Sequence, residues 1–186
     1  MKSPNYFVVS PLNDEAYSLT KNIAGVDILM SSNIEDHTRV NRFAVVRAVP
    51  DWYDGDISVG DTLVVHHNVF RVYYDMKGNK KNSWNHFRDN IYLIDQLQFF
   101  LYKKADGDWI APYPYCFVSP VEQLEDKAVK RTNIMEDNLG VVEYVHNHSE
   151  LKPGDNVYFN RDMEYEFTID DKRMYRMKSS DVCLKI

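Results

Sequence analysis

The hexapeptide Tyr6-Phe7-Val8-Val9-Ser10-Pro11 returns almost unchanged as Tyr115-Cys116-Phe117-Val118-Ser119-Pro120. Two nearly identical apolar strands, each closing on Ser-Pro, make an internal repeat the first thing to test, because the rest of each copy must then follow in order. Ala44-Val45-Val46-Arg47-Ala48-Val49 pairs with Gly140-Val141-Val142-Glu143-Tyr144-Val145. Val59-Gly60-Asp61-Thr62-Leu63-Val64-Val65 pairs with Pro153-Gly154-Asp155-Asn156-Val157-Tyr158-Phe159. Gly-Asp ahead of an alternating apolar run is a turn feeding a strand, since glycine accepts positive φ and aspartate caps turn amides. As a fourth landmark, Ile94-Asp95-Gln96-Leu97-Gln98-Phe99-Phe100 aligns with Ile169-Asp170-Asp171-Lys172-Arg173-Met174-Tyr175. The order of landmarks predicts a tandem duplication.

The copies differ by insertions. The first copy carries about thirteen extra residues within 16–40 and about eighteen around residues 75–90. Insertions fall in loops, where function sits on a rigid scaffold, and long loops without their own structure are usually functional or disordered. Tyr, Phe and Val crowd the extended segments, and 44% apolar content in 186 residues suffices for a buried core. Short strands punctuated by Gly, Asp, Asn and Pro predict an all-β chain of two small barrels, residues 1–114 and 115–186. One modest helical candidate, residues 121–130, reads equally as a strand and turn opening the second copy.

At this point the residues resemble the GroES-type co-chaperonins. Pro11-Leu12-Asn13-Asp14 is similar to the family's Pro-Leu-x-Asp after its first strand. Lys152-Pro153-Gly154-Asp155-Asn156-Val157-Tyr158-Phe159 is similar to its Lys-x-Gly-Asp-x-Val-x-Phe run, and Ser179-Ser180-Asp181-Val182-Cys183-Leu184 to its C-terminal Ser-x-x-Asp-Ile-Leu. The resemblance implies tandem GroES-like, partly open Greek-key barrels and a ring of copies capping a GroEL-type chaperonin to assist protein folding. It also implies a mobile loop after the first strand that presents an apolar tripeptide to the partner. Ile28-Leu29-Met30 looks like that tripeptide, with Gly25 upstream and Val26 and Asp27 between. The second copy has only a short link over residues 130–138, so no working loop is expected there. A duplicated, divergent co-chaperonin fits a viral genome.

Burying Ile, Leu and Met contributes about 1.5–3 kcal/mol each, and ordering a flexible arm costs about 1–2 kcal/mol per residue. One arm should therefore barely bind, while several on one ring gain avidity and still release. The bland alternative is that Val26, Ile28 and Met30 alternate inward along an ordinary barrel strand. The second insertion, with Lys77, Lys80, Lys81, Trp84 and Phe87, is basic and aromatic in a chain of formal charge −6. Lys77-Gly78-Asn79-Lys80 reads as a hairpin turn. Such residues suit stacking on single-stranded nucleic acid. The competing reading is a solvated hairpin whose aromatics fold back on the barrel or pack on a neighbouring subunit.

No phosphate-binding, dinucleotide, nucleophile-elbow or zinc-protease motif is present, and no nucleophile has an evident base, so no catalytic residue, metal or cofactor is expected. ATP would belong to the chaperonin. His66 and His67, as neighbours on a strand, should point to opposite faces and not share a metal. His146 and His148 can face one way in a polar loop. Asp170-Asp171, and Asp54 with Asp56, read as turn residues. Cys116 and Cys183 read as buried free thiols of a reducing compartment. No apolar run approaches a membrane span and the N-terminus lacks a signal-peptide pattern, so the expectation is a cytoplasmic protein. Two rival functions stand beside the capping role: a structural, assembly or virion component, and an oligonucleotide-binding module.

Overall fold

The structure, a computed structural model, describes residues 2–17, 20–23, 26–29, 40–105, 107–121, 138–160 and 164–186, with 20–23 and 26–29 described as backbone alone. It is all-β; no α-helix occurs among the described residues. None of their helices is long and apolar enough to cross a membrane. The chain divides into two compact units, Met1–Asp108 and Trp109–Ile186. The helical candidate at 121–130 and the link at 130–138 lie, apart from Val121 and Asn138, outside the described residues.

The first unit contains β1 (Phe7–Pro11), β2 (Thr20–Ile23), β3 (Val26–Leu29), β4 (Phe43–Ala48), β5 (Thr62–Val65), β6 (Val72–Tyr74), β7 (Lys80–Asn82), β8 (His86–Arg88), β9 (Ile91–Ile94) and β10 (Phe99–Lys103). Its main sheet runs β10-β5-β4-β1-β9-β8, every pairing antiparallel. The second contains β11 (Trp109–Ile110), β12 (Tyr115–Pro120), β13 (Leu139–Tyr144), β14 (Asn156–Phe159), β15 (Tyr165–Ile169), β16 (Lys172–Lys178) and β17 (Val182–Lys185). Its sheet runs β17-β14-β13-β12-β16-β15, again antiparallel. Strand for strand, the two orders are the same.

Register makes the equivalence residue-specific. Across β1 and β4, Val8 faces Ala48, the ladder slips by one residue, and Val9, Ser10 and Pro11 then face Val46, Val45 and Ala44. Across β12 and β13, Phe117 faces Tyr144, the ladder slips at the same step, and Val118, Ser119 and Pro120 face Val142, Val141 and Gly140. The Gly-Asp turns also match. Gly60 at φ +96° donates to Val46 O and Asp61 O accepts from Val46 N, both at 2.9 Å. Gly154 at φ +93° and Asp155 do the same with Val142, both at 2.8 Å. Both glycines hold a backbone conformation that a side chain would strain.

The fourth sequence landmark is corrected by the sheets. Ile169-Asp170-Asp171-Lys172 is the tight β15–β16 turn, with Asp170 and Asp171 at φ +48° and +61°. Ile94-Asp95 instead ends β9 and caps a short 3-10 turn, Gln96–Gln98, which leads into β10. Its counterpart is Met177-Lys178 and the 3-10 turn Ser179–Asp181, leading into β17. His66 N donates to Gln98 O at 2.8 Å in one unit and Asn160 N to Asp181 O at 2.9 Å in the other. The excess of the first unit here is the β6–β7 hairpin, since only residues 160–164 separate β14 from β15.

β1 is buried along its whole length. Central in its sheet and covered on both faces, it has no wet side, which is why its sequence is an unbroken apolar run rather than an alternation. Phe7 sits in an aromatic cluster, edge-on to Tyr53 at 4.9 Å and Phe99 at 5.3 Å. In the second unit Cys116, Val118, Val142, Val157, Phe159 and Met177 form the core, with Leu151, Tyr175 and Val182 against it. Each such side chain contributes about 1.5–3 kcal/mol by leaving water. Both cysteines are free, but only Cys116 is buried; Cys183 is exposed on β17 and donates to Asn160 Oδ1 at 3.1 Å. At the sheet edge, β17 has only one neighbour to cover it.

Candidate partner-binding surfaces

The first insertion leaves β1 and returns to β4 through a tied neck. Asn41 bridges its two sides: its backbone N donates to Ala16 O at 2.9 Å, and its Nδ2 donates to Leu12 O at 3.2 Å and Glu15 O at 2.8 Å. Its Oδ1 accepts from Phe43 N at 2.8 Å, which starts β4. Tyr17 bridges to buried Val40, and its hydroxyl both donates to Val72 O and accepts from Val72 N. Burial pushes the Tyr17 phenol above its ordinary range. The polar groups of Asn41 and Tyr17 thus tie the neck to the fold, which fixes where the insertion emerges.

Beyond the neck, β2 and β3 form a two-stranded sheet of their own, with Thr20 facing Leu29, Lys21 facing Ile28, Asn22 facing Asp27 and Ile23 facing Val26. Val26, Ile28 and Leu29 therefore lie on the backbone of β3, one arm of a hairpin. Gly25 and Met30 lie outside the described residues.

The second insertion is a hairpin whose turn spans residues 75–79. Asp75 Oδ1 accepts from Lys77 N at 2.9 Å and Asn79 N at 2.8 Å, while Gly78 takes φ +76°. These bonds, those from Asn79 first, hold the Asp75 carboxyl below its usual range. Lys80 and Lys81 follow on β7, exposed; Lys81 stands 4.0 Å from Asp75. Beyond β7, Ser83 Oγ donates to Val69 O at 2.6 Å, and Asn85 Nδ2 donates to Leu93 O and Gln98 Oε1 at 2.7 and 2.8 Å. Pinned on either side, Trp84 projects outward and is 98% exposed. Phe87 is 61% exposed, with the Arg88 guanidinium 5.6 Å from its ring centre. The reading in which these aromatics fold back on the sheet is thereby overturned for Trp84: its two neighbours, not its ring, make the inward contacts.

The histidines also depart from expectation. His66 and His67 follow the end of β5 at Val65, so strand alternation does not govern them, and their rings stack with centroids 4.2 Å apart. Among the described residues no three His, Cys, Asp or Glu side chains converge as metal ligands. His146 and His148 do line one cavity of about 480 Å³ in the second unit, with Glu150, Cys183 and Lys185. One surface that the sequence reading took only as a turn is the β4–β5 loop, residues 51–61, where Trp52 and Val59 are 51% and 65% exposed beside exposed Asp51, Asp54 and Asp56. Its signal was the absence of any basic residue around exposed-type aromatics. Neither a protein-family model nor a curated protein matches the chain.

Proposed function

We propose that this chain is a GroES-like co-chaperonin: copies form a ring over a GroEL-type chaperonin and dock through Ile28-Leu29-Met30, with ATP bound and hydrolysed by the partner. In this reading each unit is a GroES-like barrel and the second serves as scaffold. One observation carries it. The β2–β3 hairpin leaves from a hydrogen-bonded neck between β1 and β4, the place where the resemblance puts the docking loop. A fixed neck lets the hairpin engage a partner without disturbing the sheet, and repetition around a ring multiplies weak single contacts.

The test is capture of the purified chain by a GroEL-type chaperonin with and without ATP, beside the double variant Ile28→Asp, Leu29→Asp. Nucleotide-dependent capture that is lost in the variant supports the reading. Capture retained by the variant removes this docking site, and absence of capture by several chaperonins removes the function.

A further inference from the structure

We infer that copies of this chain meet head to tail through two oppositely charged surfaces of the first unit: the basic, aromatic excursion at residues 74–88 on one copy and the acidic loop at residues 51–61 on the next. The excursion holds Lys77, Lys80, Lys81 and Arg88 against the single acid Asp75, and displays Tyr74, Met76, Trp84 and Phe87 to solvent. The loop exposes Asp51, Asp54 and Asp56 with no basic residue, and displays Trp52 and Val59. Exposed apolar groups inside a charged frame mark protein interfaces, and Trp, Met and Arg are the residues enriched there.

Both surfaces are shaped before any partner arrives. Trp52 Nε1 donates to Asn5 O at 3.2 Å, Tyr53 packs edge-on to Phe7, and Asp61 Oδ2 accepts from Ser58 N at 2.8 Å. Asp75, Ser83 and Asn85 hold the excursion in the same manner. Little ordering entropy therefore remains to be lost on contact.

Within one unit the two surfaces do not cover each other: Trp52, Val59, Met76, Trp84 and Phe87 all stay exposed. The loop leaves β4 after Ala48, beside Val8 and close to Phe7, where β9 also ends at Ile94. The excursion leaves β5 after Val65, beyond the Val64–Phe43 pair, and returns to β9 at Ile91. Opposite charges that one unit leaves exposed on two surfaces are satisfied by a neighbour. Such a heterologous contact closes into a ring or runs on as a filament. Single-stranded nucleic acid suits the excursion alone, but the chain's charge of −6 repels a polyanion at longer range, and that occupant leaves the acidic loop unexplained. The inference does not depend on chaperonin docking, because neither surface includes Ile28, Leu29 or Met30.

The experiment is sedimentation velocity on the full chain at low and high salt, for wild type, Lys80→Glu with Lys81→Glu, Asp51→Lys with Asp54→Lys, and a 1:1 mixture of the two variants. Wild type is expected to assemble with an affinity that salt weakens. Each variant alone should lose about tenfold or more in affinity, because like charges now face each other. The mixture should regain assembly, since the charge-reversed excursion of one variant then meets the charge-reversed loop of the other, and their two unaltered surfaces also match; misfolded variants give no such rescue. Wild-type assembly in both variants overturns the inference, as does a mixture that stays dissociated. A wild type that remains monomeric while binding fluorescent oligothymidylate through Lys80 and Lys81 overturns it in favour of nucleic acid.

Discussion

Ser10 and Ser119 hold the same register position in the two units, yet Ser10 Oγ accepts from Arg47 Nε at 2.8 Å while Ser119 Oγ donates to Glu143 Oε1 at 2.9 Å. A hydroxyl does either, so the serine of each Ser-Pro tolerates a partner of either sign. Arg47→Glu should therefore change stability by less than about 1 kcal/mol. Arg47→Leu, which leaves the buried Ser10 hydroxyl unsatisfied, should cost about 1–3 kcal/mol. Urea unfolding of both variants checks this; equal losses would refute it.

Gly140 is a second position with a specific demand. A Cβ there would stand 2.3 Å from Val118 Cγ1 and 2.7 Å from the backbone oxygen of Ser119. Gly140→Ala should destabilise the second unit by about 1–3 kcal/mol, because a backbone atom must give way. Gly154→Ala meets open space and is strained only through its positive φ, at about 1–2 kcal/mol. Comparing thermal midpoints with the Ala44→Gly variant of the first unit separates crowding from backbone freedom.

The thiols should react in sequence. Burial pushes the Cys116 thiol up to about 12, so it carries almost no thiolate at neutral pH, while Cys183 is exposed. A thiol-reactive chromophore should titrate one group in the native protein and two in denaturant. Cys183→Ser should abolish the native reaction, and a native reaction that survives this change would refute the assignment.

Asp155 ties the Gly-Asp turn to the last strand. Its Oδ2 accepts from Lys185 Nζ and from Lys152 N, both at 2.7 Å, and these bonds, that from Lys185 first, lower its carboxyl below the usual range. A depressed carboxyl adds stability at neutral pH that is lost as pH falls below about 4 and through its own lower value. Asp155→Asn should flatten the acid limb of the urea midpoint plotted against pH and leave the slope near neutrality unchanged.

Much of this fold was legible in the apolar runs. The strands that became β1, β4 and β5, and their partners β12, β13 and β14, pair as their valines and Gly-Asp turns predict, because buried strands and positive-φ turns leave few residue choices. The fourth landmark was not legible. Asp95 caps a 3-10 turn and Asp170 sits at positive φ in a tight turn, two jobs that the same residue does in the same Ile-Asp context. The true partners, Gln96-Leu97-Gln98 and Ser179-Ser180-Asp181, share geometry without sharing residues. Stacking of His66 on His67 was equally hidden, since it depends on β5 stopping at Val65. The excursion was visible as a basic, aromatic run with Gly78 at its turn, whereas the outward aim of Trp84 depends on Ser83 reaching Val69 and Asn85 reaching Leu93 and Gln98.

A polypeptide that spells one strand twice risks shuffling, because β12 carries the slip and spacing that suit β4 as well as β13. The bare α-carbon at Gly140 fits β13 to its own mate, because any side chain there would collide with Val118 of β12. Exchange of such look-alike strands between neighbouring chains is the misassembly a doubled strand invites.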